Sequence, residues 1–275
     1  MRPTFSIVIS KMNIFAVTLL LFTVANVFQS SESMELNCKF QIYGYFISIP
    51  IGWKIFYTCY GELSNERNST IITEVHGDHL SGRNNSDVTG IILEKETLLT
   101  SIPLNFDKFF PNINILYMVD TKTSTIRASQ LLQFPNLMYL LLSYNEIETI
   151  EVNAFSSTPS LQGIHLNSNK IKSIPYNAFR PLHLEVLQMN NNICINDSAD
   201  TVQNVNRLIV VADLLCSPLG DMIDEDLRVR IYELSNSQVA FEYSLKDLRD
   251  QVSTMEERMQ ELENILKLVK THVNK

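Results

Sequence analysis

One pattern of apolar and polar positions returns three times between residues 137 and 192. The template L-x-x-L-x-L-x-x-N-x-I-x-x-I is set by Leu137, Leu140, Leu142, Asn145, Ile147 and Ile150. The second copy consists of Leu161, Ile164, Leu166, Asn169, Ile171 and Ile174, and the third begins with Leu184, Leu187, Met189 and Asn192. A repeat of this length predicts that each copy is one small structural unit, which buries its apolar face against its neighbours.

This pattern is typical of leucine-rich repeats, in which each unit adds one short strand to a curved parallel sheet. The aliphatic side chains are expected in the core, and the asparagine is expected to hydrogen-bond backbone groups that would otherwise be buried without partners. Two weaker copies start at Val88 and Ile113, where Glu96 and Thr121 stand at the asparagine position. We therefore predict an α/β fold, with a short solenoid of about five repeats over residues 88–192.

A different period begins after the repeats, where apolar residues step by three and four. The positions of this seam are Leu227, Ile231, Leu234, Gln238, Phe241, Leu245, Leu248, Val252, Met255, Met259, Leu262, Leu266, Val269 and Val273. A period of 3.5 residues predicts a coiled coil that pairs with itself or with a related chain. Gln238 is the polar exception and a candidate for setting register or partner choice. The alternative is a helix that folds back onto its own domain.

Residues 34–60 are rich in aromatic side chains, and their alternation predicts a hairpin that turns near residues 50–52. Because a solenoid exposes the apolar end of its first repeat, we interpret this hairpin as an N-terminal cap. The alternative is an aromatic ligand cleft. Residues 61–87 are polar and are expected to form loop or irregular strand.

The first 33 residues predict a signal peptide, because the apolar run from Ile14 to Ala25 is short for a membrane span. A retained signal anchor is the alternative, and either Met1 or Met12 is the start. The predicted domains are the signal peptide at 1–33, the N-terminal cap and polar loop at 34–87, the repeats at 88–192, the C-terminal cap and linker at 193–220, and the coiled coil at 221–275. We expect a secreted, extracellular protein with no membrane span in the mature chain.

The four cysteines fit an extracellular location, where disulfides persist. They permit three pairings, and we favour local pairing of Cys38 with Cys59 and of Cys194 with Cys216. Each such bond should stabilise the fold by roughly 3 kcal/mol. The sequence has neither a C-x-x-C pair nor histidines near the cysteines, so these residues do not indicate a metal site.

Three sequons mark candidate glycosylation sites at Asn68, Asn84 and Asn196. The triple His76, Asp78 and His79 has residue types that bind metals, but a short cluster in a polar loop is more often solvated. No catalytic motif occurs in the chain. We therefore predict no catalytic residue, no metal and no cofactor.

The formal net charge of −8 argues against a nucleic-acid partner, because nucleic acid binds basic surfaces. The predicted repeat strands instead place side chains on a concave face that suits a protein ligand. These residues are Ile115, Tyr117, Tyr139, Leu141, Tyr144, Gly163, His165, Val186 and Gln188. The alternatives are that cap loops cover this face or that the edge repeats pack differently.

These features together resemble secreted leucine-rich-repeat proteins of insects, including the mosquito leucine-rich-repeat immune proteins. The resemblance implies a coiled coil that joins two chains and an assembly that carries a complement-like thioester protein in haemolymph. Those proteins typically add a cysteine for an interchain disulfide, whereas the four cysteines here can all pair within the chain. The predicted function is a secreted, non-enzymatic protein-binding scaffold, and the resemblance implies a role in insect innate immunity. A structural matrix or adhesion component and an inhibitor of an extracellular enzyme are the alternatives.

Overall fold

A computed structural model describes residues 34–47, 51–64, 70–96, 99–218 and 225–273. The predicted signal peptide and the sequon at Asn68 lie outside this range. The backbone of the final helix is described to Val273, but the side chains of the seam residues Leu266, Val269 and Val273 are not.

Eleven strands are described. They are β1 (Met34–Phe46), β2 (Trp53–Ser64), β3 (Ile72–His76), β4 (Gly90–Glu94), β5 (Ile115–Val119), β6 (Thr125–Ile126), β7 (Tyr139–Leu141), β8 (Thr149–Ile150), β9 (Gly163–His165), β10 (Val186–Gln188) and β11 (Ser198–Ala199). The α-helices are α1 (Phe106–Phe109), α2 (Ala128–Leu131), α3 (Val202–Leu215) and α4 (Glu225–Val273), and a 3-10 turn covers Asn85–Asp87.

The main sheet has nine strands in the order β11-β10-β9-β7-β5-β4-β2-β1-β3. Strands β4, β5, β7, β9 and β10 are parallel neighbours, and each belongs to one of the five predicted repeats. Behind this sheet, β6 and β8 form a second, two-stranded parallel sheet. The five-repeat prediction therefore matches the strand order, including its two degenerate members.

The aliphatic template positions form the core between the two sheets. Leu140, Ile164 and Leu187 are fully buried on three successive strands. On the far side of the core, the rings of Phe155 and Phe179 stack with their centroids 5.5 Å apart. This stacking follows from the repeat period, because equivalent side chains of successive units lie at the same depth in the core.

The asparagine positions form a ladder of hydrogen bonds that joins successive repeats. The amide nitrogen of Asn169 donates to the carbonyls of Leu142 and Leu166, at 2.9 and 3.0 Å. Its side-chain oxygen accepts from the backbone N–H of Ile147 at 3.0 Å. Asn145 and Asn192 make corresponding bonds. Backbone groups exposed by each tight turn thus find partners inside the core, as the sequence predicted.

The hairpin of β1 and β2 closes the N-terminal end of the sheet. Its strands are antiparallel, and β2 continues the sheet by pairing in parallel with β4. A disulfide joins Cys38 to Cys59 across the two strands. The polar segment after the hairpin is more regular than expected, because β2 extends to Ser64 and β3 adds an edge strand beside β1.

Helix α3 closes the opposite end of the core. Its N-cap is Thr201, whose side chain accepts from the N–H of Asn204, and its apolar face is buried. The disulfide between Cys194 and Cys216 ties the end of α3 to the last repeat. Both disulfides are therefore the local pairs favoured from the sequence.

Helix α4 is 49 residues long and starts beside α3. Near its start, Ile231 packs against the core, and Arg207 of α3 donates to Ser235 at 3.1 Å. Farther along, the described seam side chains from Phe241 to Leu262 are exposed. Among the described side chains of α4, those that contact the domain belong to its first turns, so the described part of the helix does not fold back onto the domain along its length. Among the helices described, none combines the length and apolarity that a membrane span requires.

Candidate protein-binding surface

The structure brings the predicted concave-face residues together in two rows across adjacent strands. One row consists of Ile115, Tyr139, Gly163 and Val186, and the other of Tyr117, Leu141, His165 and Gln188. Parallel pairing in register produces these rows, because equivalent positions of successive repeats lie side by side.

The expectation that this face is exposed is wrong for most of these residues. Ile115, Tyr139 and Leu141 are each only 2% exposed, and His165 is 6% exposed. Tyr117 and Gln188 are half-buried, whereas Tyr144, in the turn after β7, is 61% exposed.

The end of the N-terminal hairpin around Tyr45, Ile47 and Phe56, which we call the hairpin tip, covers the face. The Phe56 and Tyr139 rings meet edge to face at 6.2 Å, and the Tyr45 and Tyr117 rings at 5.6 Å. Together with Ile47 and Val186, these side chains belong to a second apolar cluster, separate from the repeat core. The alternative in which a cap covers the concave face is thus the one that the structure contains.

A glycine on β9 makes room for this contact. A Cβ atom at Gly163 would lie 3.0 Å from Cδ1 of Tyr139 and 3.8 Å from Cγ2 of Ile47. The absence of a side chain here therefore lets the ring of Tyr139 pack close to the backbone of Gly163 beneath the hairpin tip.

Burial shifts the pKa values of side chains at the covered face. Burial, then the neighbouring Tyr43 and Glu94, raises the pKa of Tyr45 to about 12. Burial also raises the pKa of Tyr117, with Glu94 adding to the effect. Burial lowers the pKa of His165 to about 4, so this imidazole is neutral at pH 7. The face is thus an apolar contact region and does not present His165 as an accessible base.

The outer side of the hairpin tip carries exposed apolar residues, which we call the hairpin patch. Its members are Ile42, Phe46, Trp53 and Ile55, with exposed fractions of 60, 44, 70 and 75%. Phe46 and Trp53 are directly paired across the strands, and their rings meet at 5.7 Å. Trp53 also lies over Gly44, with Cε3 3.6 Å from where a Cβ would stand.

Sequence reasoning missed this patch, although the signal was present. Both faces of the hairpin tip carry apolar residues, one set covering the concave sheet and the other facing solvent. Alternation alone does not identify which face of such a hairpin packs on the repeats and which stays exposed.

The candidate glycosylation sites that are described both lie at the surface. Asn84 is exposed and caps the 3-10 turn by accepting from the N–H of Ser86. Asn196 is exposed, and its side-chain oxygen accepts from the N–H of Asn191 at 2.8 Å. Glycosylation at these positions stays a prediction.

The histidine triple does not form one cluster. His79 is held by Tyr57 and Asn85, at 2.9 and 2.8 Å from its two ring nitrogens. His76 instead lies beside Glu35 and Glu74. Within the described residues, Asp78 joins neither histidine in a group of possible metal ligands.

A family model described as "Leucine rich repeat" matches residues 111–167 and 135–193. The chain therefore contains leucine-rich repeats, as predicted. Such repeats generally act as non-enzymatic scaffolds that mediate binding between proteins. None of the curated proteins matches the chain significantly.

Among solved structures, 55 chains match significantly. One comes from the structure of the Toll–Spatzle complex, described as a molecular hub in Drosophila development and innate immunity. It has 24% sequence identity and a TM-score of 0.35, over 46% of the present chain and 20% of the solved chain. The present chain thus spans about a fifth of the length of that relative.

Proposed function

We propose that this chain is a secreted, non-enzymatic scaffold that binds a protein partner on the concave side of its repeats and assembles through α4. The hairpin patch is the observation that carries the binding half of the proposal. The partner contacts this patch and not the sheet, because the hairpin tip already covers the sheet.

The composition and rigidity of the patch support a protein contact. Trp53 and Phe46 are large aromatic anchors, and aromatic residues are enriched where proteins bind most tightly. Cross-strand pairing and the apolar cluster under the tip hold the backbone that carries these two side chains in place. A surface already fixed in this way loses little conformational entropy when a partner binds.

A pair of matched variants tests this surface. Trp53→Ser with Ile55→Ser removes the centre of the patch, whereas Leu132→Ser with Val152→Ser removes two exposed apolar side chains elsewhere. Immobilised chains are exposed to a purified complement-like thioester protein, the ligand that the family resemblance implies, and to the extracellular fluid of the source. We expect the patch variant to weaken capture at least about tenfold and the control to leave it unchanged.

Two results would count against the binding surface. One is full capture by the patch variant at an unchanged melting temperature. The other is an equal loss in both variants, which would indicate nonspecific adhesion. Failure of the complement-like protein to bind, with another fluid protein captured through the patch, would reject the immune partner but retain the scaffold.

The exposed seam of α4 supports the assembly half of the proposal. Leu234, Met255 and Leu262 are 72, 67 and 61% exposed along one face of the helix. A long apolar stripe of this period is stable in water when a second helix covers it. We propose that the covering helix is α4 of a second copy or of a related chain.

The flanking charges permit parallel self-pairing. In a parallel pair, Arg258 would face Glu263 of the other helix, and no flanking pair of this kind joins like charges. Gln238, near the cleft between α3 and α4, is proposed to set register.

Adjacent substitutions separate the seam from the rest of the helix surface. Val252→Glu places a charge on the seam, whereas Ser253→Glu places the same charge beside it. We expect Val252→Glu to reduce the sedimenting mass and Ser253→Glu to leave it unchanged, because only the seam position would bury the carboxylate. Equal masses for the two variants would reject the seam as the interface. Open assemblies in the parent protein would favour a structural matrix role.

A further inference from the structure

Three side chains with metal-binding groups converge at the edge of the main sheet. Glu35 lies on β1, and Glu74 and His76 lie on the edge strand β3. The Nε2 atom of His76 is 3.5 Å from Oε2 of Glu35 and 3.5 Å from Oε2 of Glu74. One donor atom from each residue lies within 4.8 Å of the other two.

These separations fit the donor spacing of a tetrahedral zinc site. Zinc binds nitrogen and oxygen at about 2.0–2.2 Å, so two donors of a tetrahedron are about 3.3–3.6 Å apart. Both distances from His76 fall in this range. All three side chains are about half exposed or more. A small rotation of one carboxylate can therefore adjust the remaining distance, which is the one between the oxygens of Glu35 and Glu74.

An irregularity in the strand pairing places the two carboxylates together. Met34 pairs with Ile72, but the next residue, Glu35, pairs with Glu74, so the register shifts by one residue. Bulges of this kind redirect side chains and often lie next to functional sites. Two like charges directly opposite each other are unfavourable unless a cation lies between them.

The backbone around the three donors is firmly held. The disulfide between Cys38 and Cys59 fixes β1 a few residues from Glu35. Gly77, directly after His76, has a φ of +127°, and a Cβ there would lie 2.1 Å from the carbonyl oxygen of Cys38. Ser64 also directs its hydroxyl toward Oε2 of Glu35 at 3.4 Å. Donors on a rigid frame bind a metal without a large ordering cost.

We propose that Glu35, Glu74 and His76 bind a zinc ion. The imidazole favours zinc over calcium or magnesium, which take six or more oxygen ligands. Three protein ligands leave the fourth position open at the sheet edge, for a water molecule or a donor from another chain. The sequence did not indicate this site, because Glu35 reaches the other two ligands only through the β1–β3 pairing.

Titration of the full chain with zinc chloride tests the proposal by calorimetry. We expect one saturable zinc site per chain. His76→Gln should weaken binding by about 100-fold, and Glu74→Gln by at least about tenfold, since even indirect contacts to metal ligands are worth about 10- to 100-fold. His183→Gln, which changes an exposed histidine elsewhere, should bind as the parent does.

Cobalt provides a second readout, because tetrahedral Co²⁺ absorbs visible light more strongly than the hydrated ion. The parent chain should gain this absorption and His76→Gln should not, while both keep the same circular dichroism without metal. Absence of saturable zinc binding would overturn the proposal and leave His76 as a neighbour of the two carboxylates without a metal. Equal affinity in the parent and in His76→Gln would overturn it as well.

Discussion

Replacement of Asn145 by alanine tests whether the asparagine ladder holds successive repeats together. Asn145 is 6% exposed, and its side-chain oxygen accepts from the backbone N–H groups of Thr121 and Thr123, both at 3.0 Å. Its amide nitrogen donates to the carbonyls of Met118 and Leu142, at 2.7 and 3.0 Å. The substitution therefore removes a hydrogen bond from two buried N–H groups and two carbonyls, of which the carbonyl of Leu142 keeps its bond from Asn169.

The expected loss follows from the groups left unpaired. A buried donor without a partner costs about 1–3 kcal/mol, so the two N–H groups alone account for about 4 kcal/mol. Buried carbonyl oxygens tolerate a missing hydrogen bond better than buried N–H groups do, so we assign the two carbonyls no additional loss of stability. A change of this size is a large fraction of the roughly 5–15 kcal/mol by which a typical domain is stable.

Urea unfolding, followed by circular dichroism and by the fluorescence of Trp53, measures the effect. We expect Asn145→Ala to lower the free energy of unfolding by about 4 kcal/mol without changing the denaturant slope. Asn136→Ala, at an exposed position, should change it by less than about 0.5 kcal/mol. A loss below about 1 kcal/mol for Asn145→Ala, or equal losses for the two variants, would refute the role of the ladder.

Three further changes probe the caps and the covered face. Burial lowers the pKa of His165 to about 4, so we expect about 3 kcal/mol of stability to be lost as pH falls from about 6.5 to 4. His165→Gln should remove this dependence of stability on pH, and an unchanged dependence would exclude His165 as its source. Joint replacement of Cys194 and Cys216 by alanine should lower the free energy of unfolding by about 3 kcal/mol, and an unchanged urea midpoint would contradict this. Gly163→Ala should cost about 1–3 kcal/mol by pushing Tyr139 into the hairpin tip; protease cleavage in the hairpin would report the displacement, and parental resistance would count against it.

The repeats were predictable because each one obeys a local rule. The spacing of Leu140, Ile164 and Leu187 indicates equivalent strands, and the parallel sheet follows from stacking them. The asparagines have a role that any tight turn after a buried strand requires, so their partners could be anticipated as well. Degenerate repeats are harder to recognise, but the same period extends back to the strand at Ile91.

The covered concave face was not predictable in the same way. Tyr139 and Ile115 would be exposed in an isolated repeat stack, and their burial depends on where the tip of a distant hairpin lies. That position follows from the pairing of β2 with β4, which no local pattern encodes. The cluster of Glu35 with His76 has the same origin, since a register shift between β1 and β3 creates it.

The most direct test of the scaffold proposal is the sedimenting mass of the chain, measured beside a chain that ends at residue 217. We predict that the full chain sediments as a defined oligomer and that the shortened chain sediments as a folded monomer. Monomeric behaviour of both chains at the same concentration would contradict assembly through α4.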